Sequence, residues 1–133
     1  MAKLGNFEFG ELIELQRKLR RMQQDYPAFV EECIREIALR LLAKTVARTP
    51  VDTGLLRRSW QITAVRRVPG GYQVDVFNPV EYAKFVEFGH RTASGTGWVE
   101  GRFMLTISER ELQREMPGLL DRKIKTFMDQ HLS

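Results

Sequence analysis

The chain holds a single cysteine, Cys33, in 133 residues. One thiol excludes an intramolecular disulfide and any multi-cysteine metal site, and on the apolar face of a helix it reads as a small buried hydrophobe. Histidine is almost as scarce. His90 and His131 stand in no HExxH or related spacing, so no metal site is expected. No uncharged apolar run reaches the ~18 residues of a membrane span, and Met1 to Phe9 lacks a signal-peptide core. The expectation is a soluble, cytosolically made protein with no membrane contact. Glycine-lysine phosphate loops and dinucleotide fingerprints are also missing. Ala93-Ser94-Gly95 lacks the setting of a nucleophile elbow, and Asp52, Asp75, Glu81 and Glu87 are scattered without a paired-carboxylate signature. Neither an enzymatic activity nor a cofactor is expected.

What is present is ordinary globular chemistry, 43% hydrophobic and 29% charged residues with a net charge of +4. That composition fits one domain over 1–133, with residues 1–24 as an N-terminal arm and helix and 25–133 as the core. The basic residues are dispersed and no aromatic stripe accompanies them, which argues against a sequence-reading nucleic-acid binder. A weak contact with passing DNA stays open, and Arg17 to Arg21 reads as a solvated helix face.

Residues 10–24 pattern as an amphipathic helix with Leu12, Ile13, Leu15, Leu19 and Met22 apolar. Asp25-Tyr26-Pro27 is expected to punctuate the chain, Pro27 opening a second helix over 27–48. In that helix Phe29, Cys33, Ile37 and Leu41 form one apolar row and Val30, Ile34, Ala38 and Leu42 the next. Trp60 to Val65 and Tyr72 to Phe77 alternate as two strands around Pro69-Gly70-Gly71. Glu81 to Phe88 reads as a short helix capped by a left-handed Gly89. Its aromatics, Tyr82, Phe85 and Phe88, read as core. His90 to Gly101 is expected to be a flexible loop, long enough to suggest a functional role. A helix follows from Phe103 or from a capping box at Ser108, with an interruption at Pro117-Gly118 and more helix to Leu132. The order implies an α+β fold, with long N-terminal helices and a C-terminal helix packed on a small antiparallel sheet.

The corner Thr49-Pro50-Val51-Asp52-Thr53-Gly54-Leu55 organises this order. Pro50 stops the helix, Asp52 and Thr53 are suited to side-chain-to-backbone turns, and Gly54 supplies a positive φ. Turn chemistry is the plain reading; a contact with an adjacent subunit is the functional one. For His90 to Gly101 the functional reading is favoured, since a small, polar loop ending in Trp98 makes a poor core element and a good interface arm.

Three stretches together resemble one family. They are Thr49-Pro50-Val51-Asp52-Thr53-Gly54-Leu55-Leu56-Arg57-Arg58-Ser59, then Val80-Glu81-Tyr82-Ala83-Lys84-Phe85-Val86-Glu87-Phe88-Gly89-His90, then Gly101-Arg102-Phe103-Met104-Leu105. The pattern resembles the tail-completion (neck) proteins of tailed bacteriophages, typed by the tenth gene product of a lambdoid coliphage and similar in role to the minor tail protein Z of phage lambda. Many relatives carry a proline-rich element before the third motif. The Thr96-Gly97-Trp98-Val99-Glu100-Gly101 found here is similar to relatives from contractile-tailed phages and prophages of Gram-positive bacteria, and the same type of gene also appears in phage-tail-like particles.

The resemblance implies a structural virion protein, assembled in the host cytoplasm. It would form a hexameric ring at the head-proximal end of the tail, between tail tube or sheath, tail terminator and head–tail connector, and prepare the tail for head joining. It marks as motif residues Thr49 to Leu55 and Tyr82, Val86, Glu87, Phe88, Gly89 and His90. An interface loop would comprise Arg91, Thr92, Ser94, Gly95, Gly97, Trp98, Gly101, Arg102 and Phe103. Arg57, Arg58, Arg66 and Arg67 are candidates for charge facing a DNA channel. The competing readings are a tail terminator or head-closure protein, and a small DNA-binding accessory protein.

Overall fold

The computed structural model describes residues 3, 4, 7–51 and 54–133, with side chains from Gly10 onward. After two short paired strands, β1 (Lys3–Leu4) and β2 (Phe7–Glu8), a single 40-residue helix, α1, runs Phe9–Arg48. The break expected at Asp25-Tyr26-Pro27 does not occur. A proline inside a helix loses one hydrogen bond and crowds the carbonyl four residues back, costing ~3 kcal/mol or more. Packing on the far side offsets it: Phe29 stacks on Phe127 with ring centroids 4.3 Å apart. The final helix, α4 (Met104–Leu132), likewise runs through Pro117 without the expected interruption. It starts at Met104 and not at Ser108, whose buried hydroxyl instead donates back to the Met104 carbonyl (2.6 Å).

Two compact units result, one made of residues up to Cys33 with Gly118–Ser133, the other of Ile34–Pro117. In the first, Cys33, Leu119 and Phe127 are buried, and burial pushes the Cys33 thiol above its ordinary range. His131 closes the end of this unit. Its Nε2 meets Asp25 Oδ2 at 2.8 Å and its Nδ1 meets the Phe127 carbonyl at 2.8 Å.

The second unit carries the β structure. After α1 come the one-turn helix α2 (Leu55–Arg58) and four short strands, β3 (Gln61–Ile62), β4 (Arg66–Val68), β5 (Gly71–Gln73) and β6 (Val76–Phe77). β3 pairs antiparallel with β6 and β4 with β5, so the expected hairpin is present but broken. Thr63 still meets Asp75 and Arg66 meets Gln73. Ala64 and Val65 therefore stand opposite Val74 alone, the two-against-one count of a β-bulge. At the tip, Pro69 and Gly70 (φ +87°) provide the fixed and left-handed φ of a type II turn. Ile34, Ile37 and Leu41 of α1 share one cleft with Val74 and Val76 of the hairpin and Leu105 of α4. Ala38, Thr45 and Leu112 are buried in the same unit. Lys44 bridges Glu111 (3.2 Å) and Glu115 (2.8 Å), and Arg48 pairs with Glu111. The α+β class stands, with antiparallel ladders in place of a continuous sheet.

Candidate interaction surface

Thr49 is where the surface begins. It is buried, its hydroxyl donates to the Thr45 carbonyl (2.7 Å), and the Trp60 indole N–H donates to that hydroxyl (2.8 Å). The helix stop at Pro50 is thereby tied to the chain beyond the corner. Gly54 has the expected positive φ (+79°); Asp52 and Thr53 lie outside the described residues. Leu55 and Leu56 form the start of α2, which places Leu56 in a core with Ala83 and Met104, flanked by Trp60, Val80 and Val86. Asn78 fastens the return, its amide donating to the Leu56 carbonyl (2.8 Å) while its oxygen accepts from Val80 N–H (3.0 Å).

On this core sits α3 (Ala83–Phe88). Ala83, Val86 and Glu87 face inward. The three aromatics do not: Tyr82 and Phe85 are exposed and Phe88 is 62% exposed. Their expected place in the core is overturned for a physical reason. Six residues of helix have room for one buried stripe, and Ala83, Val86 and Glu87 occupy it.

A carboxylate in that stripe is explained by its partners. Glu87 accepts hydrogen bonds from Leu105 N–H (3.0 Å), Thr106 N–H (2.9 Å) and Thr106 Oγ1 (2.7 Å). It caps the start of α4, where Phe103 (φ +48°) has no side-chain oxygen to do so. An anion there also matches the helix dipole. The exchange is mutual, because Arg102 N–H and Phe103 N–H donate to the Val86 and Glu87 carbonyls (2.7 and 3.0 Å) at the end of α3.

The segment expected to be a loop is a β-hairpin. Strands β7 (Gly89–Arg91) and β8 (Trp98–Glu100) pair antiparallel, with His90 opposite Val99. Gly89 has positive φ (+89°) as expected, but its ψ of 172° is extended, so it starts a strand and not a left-handed cap. A Cβ on Gly89 would lie 2.6 Å from the Val99 carbonyl oxygen and 2.9 Å from the Trp98 ring; one on Gly101 would lie 2.4 Å from the Glu87 carbonyl oxygen. At the tip, Thr92 N–H donates to the Gly97 carbonyl (3.0 Å), Gly97 N–H to Thr92 Oγ1 (3.1 Å), and the Thr92, Ser94 and Thr96 hydroxyls are linked at 3.1 and 2.8 Å.

α3, the hairpin and the corner enclose a groove of about 440 Å³ lined by Pro50, Leu56, Tyr82, Phe85, His90 and Val99. Phe85 meets His90 edge-on at 6.0 Å and Phe88 meets Phe103 at 6.5 Å. Trp98 of β8 is 59% exposed. His90 Nδ1 is buried with no hydrogen-bond partner among the described residues. Such a surface offers aromatic contact area and a few polar atoms, the chemistry that suits recognition. Among the described residues, no group of three histidine, cysteine or acidic side chains is placed to hold a metal ion, and no helix is long and apolar enough to cross a membrane.

Residues 13–89, more than half of the chain, match the family model described as "Bacteriophage HK97-gp10, putative tail-component". The chain belongs to this family of phage tail components. Comparisons with curated proteins and with solved structures gave no match. In this tail component the first two motif stretches meet in one place: Leu56 of the corner packs with Ala83 of α3, and Met104 of the third joins them. Three of the four arginines singled out from sequence have partners within the chain. Arg57 Nε donates to the Val46 carbonyl (3.2 Å), Arg66 pairs with Asp75 (2.9 Å) and Arg67 lies over the Tyr72 ring (5.8 Å). Sequence reasoning missed the capping role of Glu87. Its signal was present, since an acid at the buried spacing of Ala83 and Val86 demands a partner.

Proposed function

We propose that this tail component completes the head-proximal end of the tail as a hexameric ring, contacting the tail tube and terminator on one side and the head–tail connector on the other. One observation carries the reading. The second motif stretch, the hairpin that follows it and the start of the third stretch hold Tyr82, Phe85, Phe88, Trp98 and Phe103 exposed on backbone that is fixed by Glu87, Gly89 and Gly101. Large aromatics held rigidly in solvent lose little conformational entropy on docking and are typical anchors of subunit contacts. The unpartnered His90 Nδ1 in the same groove supports this, as a buried polar atom calls for a partner. The proposal does not rest on the arginines.

The test is light scattering of the full chain, alone and mixed with isolated tail tubes lacking this protein. A ring-sized mass bound at one tube end supports the reading, as does loss of that binding in Phe85→Ser/Trp98→Ser. A protein that ignores tube ends and shows a steep salt-dependent affinity for DNA overturns it. Binding at the end remote from the head also overturns it.

A further inference from the structure

The β7–β8 hairpin has two faces. Residues that pair directly, and alternate residues along a strand, share a face. Arg91, Trp98 and Glu100 therefore stand together with Gly89, while His90 and Val99 take the opposite face and line the groove. Glu100 borders that groove as well. Arg91 and all three residues of β8 are exposed. The first face has a fixed layout. Arg91 lies opposite Trp98, and Gly89 opposite Glu100, so the cation and the anion occupy one pair of diagonal corners. The Trp98 ring crosses the other diagonal, over Gly89, where a Cβ would lie 2.9 Å from it. Among the described residues neither Arg91 nor Glu100 has an ion-pair partner.

An indole set between two unpaired opposite charges is complementary to itself. We propose that the free protein pairs with a second copy through this face, about a two-fold axis running along the Trp98–Gly89 diagonal. Rotation about that line exchanges the charged corners, so Arg91 of each copy faces Glu100 of the other. With strands ~5 Å apart and alternate residues ~7 Å apart, the exchanged corners coincide to within ~3 Å, inside the reach of both side chains. The two indoles stack, offset, at the axis. A ring ~3.5 Å above each backbone and ~3.5 Å between the rings fills the ~10 Å at which sheets pack face to face. Axes along or across the strands set each charge against an uncharged position, and the other diagonal sets like charge against like. The face is small, so the contact is of the weak, transient class. It closes on itself and cannot propagate round a ring. The pair is a state of the free chain that covers Trp98 before assembly, and it stands or falls independently of the ring.

The experiment is sedimentation of the full chain from about 20 μM to about 1 mM, the range across which a sub-millimolar contact passes from monomer to dimer. Wild type makes that passage and Trp98→Ser stays monomeric. Arg91→Glu and Glu100→Arg, each with unchanged circular dichroism, set like charges together twice and weaken pairing at least tenfold. Mixed in equal amounts, these two variants pair with one another about as tightly as wild type does with itself. The doubly changed chain, Arg91→Glu/Glu100→Arg, recovers self-pairing. A wild type that stays monomeric throughout, a pair indifferent to either charge reversal, or a mixture that fails to recover it overturns the proposal.

Discussion

Glu87 accepts two hydrogen bonds from one residue, Thr106, at its backbone amide (2.9 Å) and its hydroxyl (2.7 Å). Through this contact the helix that displays the aromatics is joined to the first turn of α4. Glu87→Ala leaves the Leu105 and Thr106 amides without acceptors where water has little access, and should cost about 2–4 kcal/mol. Glu87→Gln keeps one acceptor oxygen and should cost about half as much. Urea unfolding of the two variants measures both. An alanine variant as stable as wild type would remove the cap from the account.

The glycines should rank by their surroundings. Gly101→Ala and Gly89→Ala drive a Cβ into backbone at 2.4 and 2.6 Å, whereas Gly95→Ala, at φ +76°, meets nothing within 4 Å. Gly95→Ala pays left-handed strain alone, about 1–2 kcal/mol. The other two must also displace the hairpin from α3, and their melting points should fall further.

The first unit should respond to alkali. The Asp25 carboxylate, and after it the Phe127 carbonyl, holds the His131 imidazolium above the ordinary histidine range. A raised folded value means that the stability from this contact is fully present below the unfolded pKa of about 6.5 and is lost as pH rises through the folded one. Imidazole titration by NMR should show His131 deprotonating above its value in Asp25→Asn. Identical titrations in the two proteins would show that the pair does not couple to folding.

Asp75 should behave with the opposite sign. The Gln73 side-chain amide, aided by Arg66, holds its carboxyl below the usual aspartate range. Its contribution to the β4–β5 hairpin is present above about pH 3.9 and is lost as pH falls through the lowered folded value. Asp75→Asn should abolish that acid dependence, read from the hairpin amide shifts.

The hairpin tip is separable from the fold. Replacing residues 92–97 with Asn-Gly closes the Arg91–Trp98 pair with a favoured two-residue turn. Such a protein should melt near wild type while losing tail assembly. A shortened protein that no longer folds would make the tip a structural element, not a docking one.

Much of this molecule was legible without coordinates. The inner rows of α1, the stop at Pro50, the left-handed Gly54 and the hairpin around Pro69-Gly70 all follow from local rules: a ring that removes an amide, a missing Cβ, a period of 3.6 or of 2. Family membership was legible too, because its motifs are these local solutions in a fixed order. Apolar residues at spacings of three and four run from Leu12 through Met22, Tyr26 and Phe29 to Cys33 across Pro27, so the continuity of α1 is also present in the pattern. Local rules could not say that Tyr82, Phe85 and Phe88 face outward, that Trp98 folds back over Gly89, or that Glu87 caps a helix beginning 17 residues after it. Those outcomes depend on which of two hydrophobic faces finds a partner and where an orphaned amide meets an oxygen. Both are contacts between segments distant in the chain, so only the folded structure decided them.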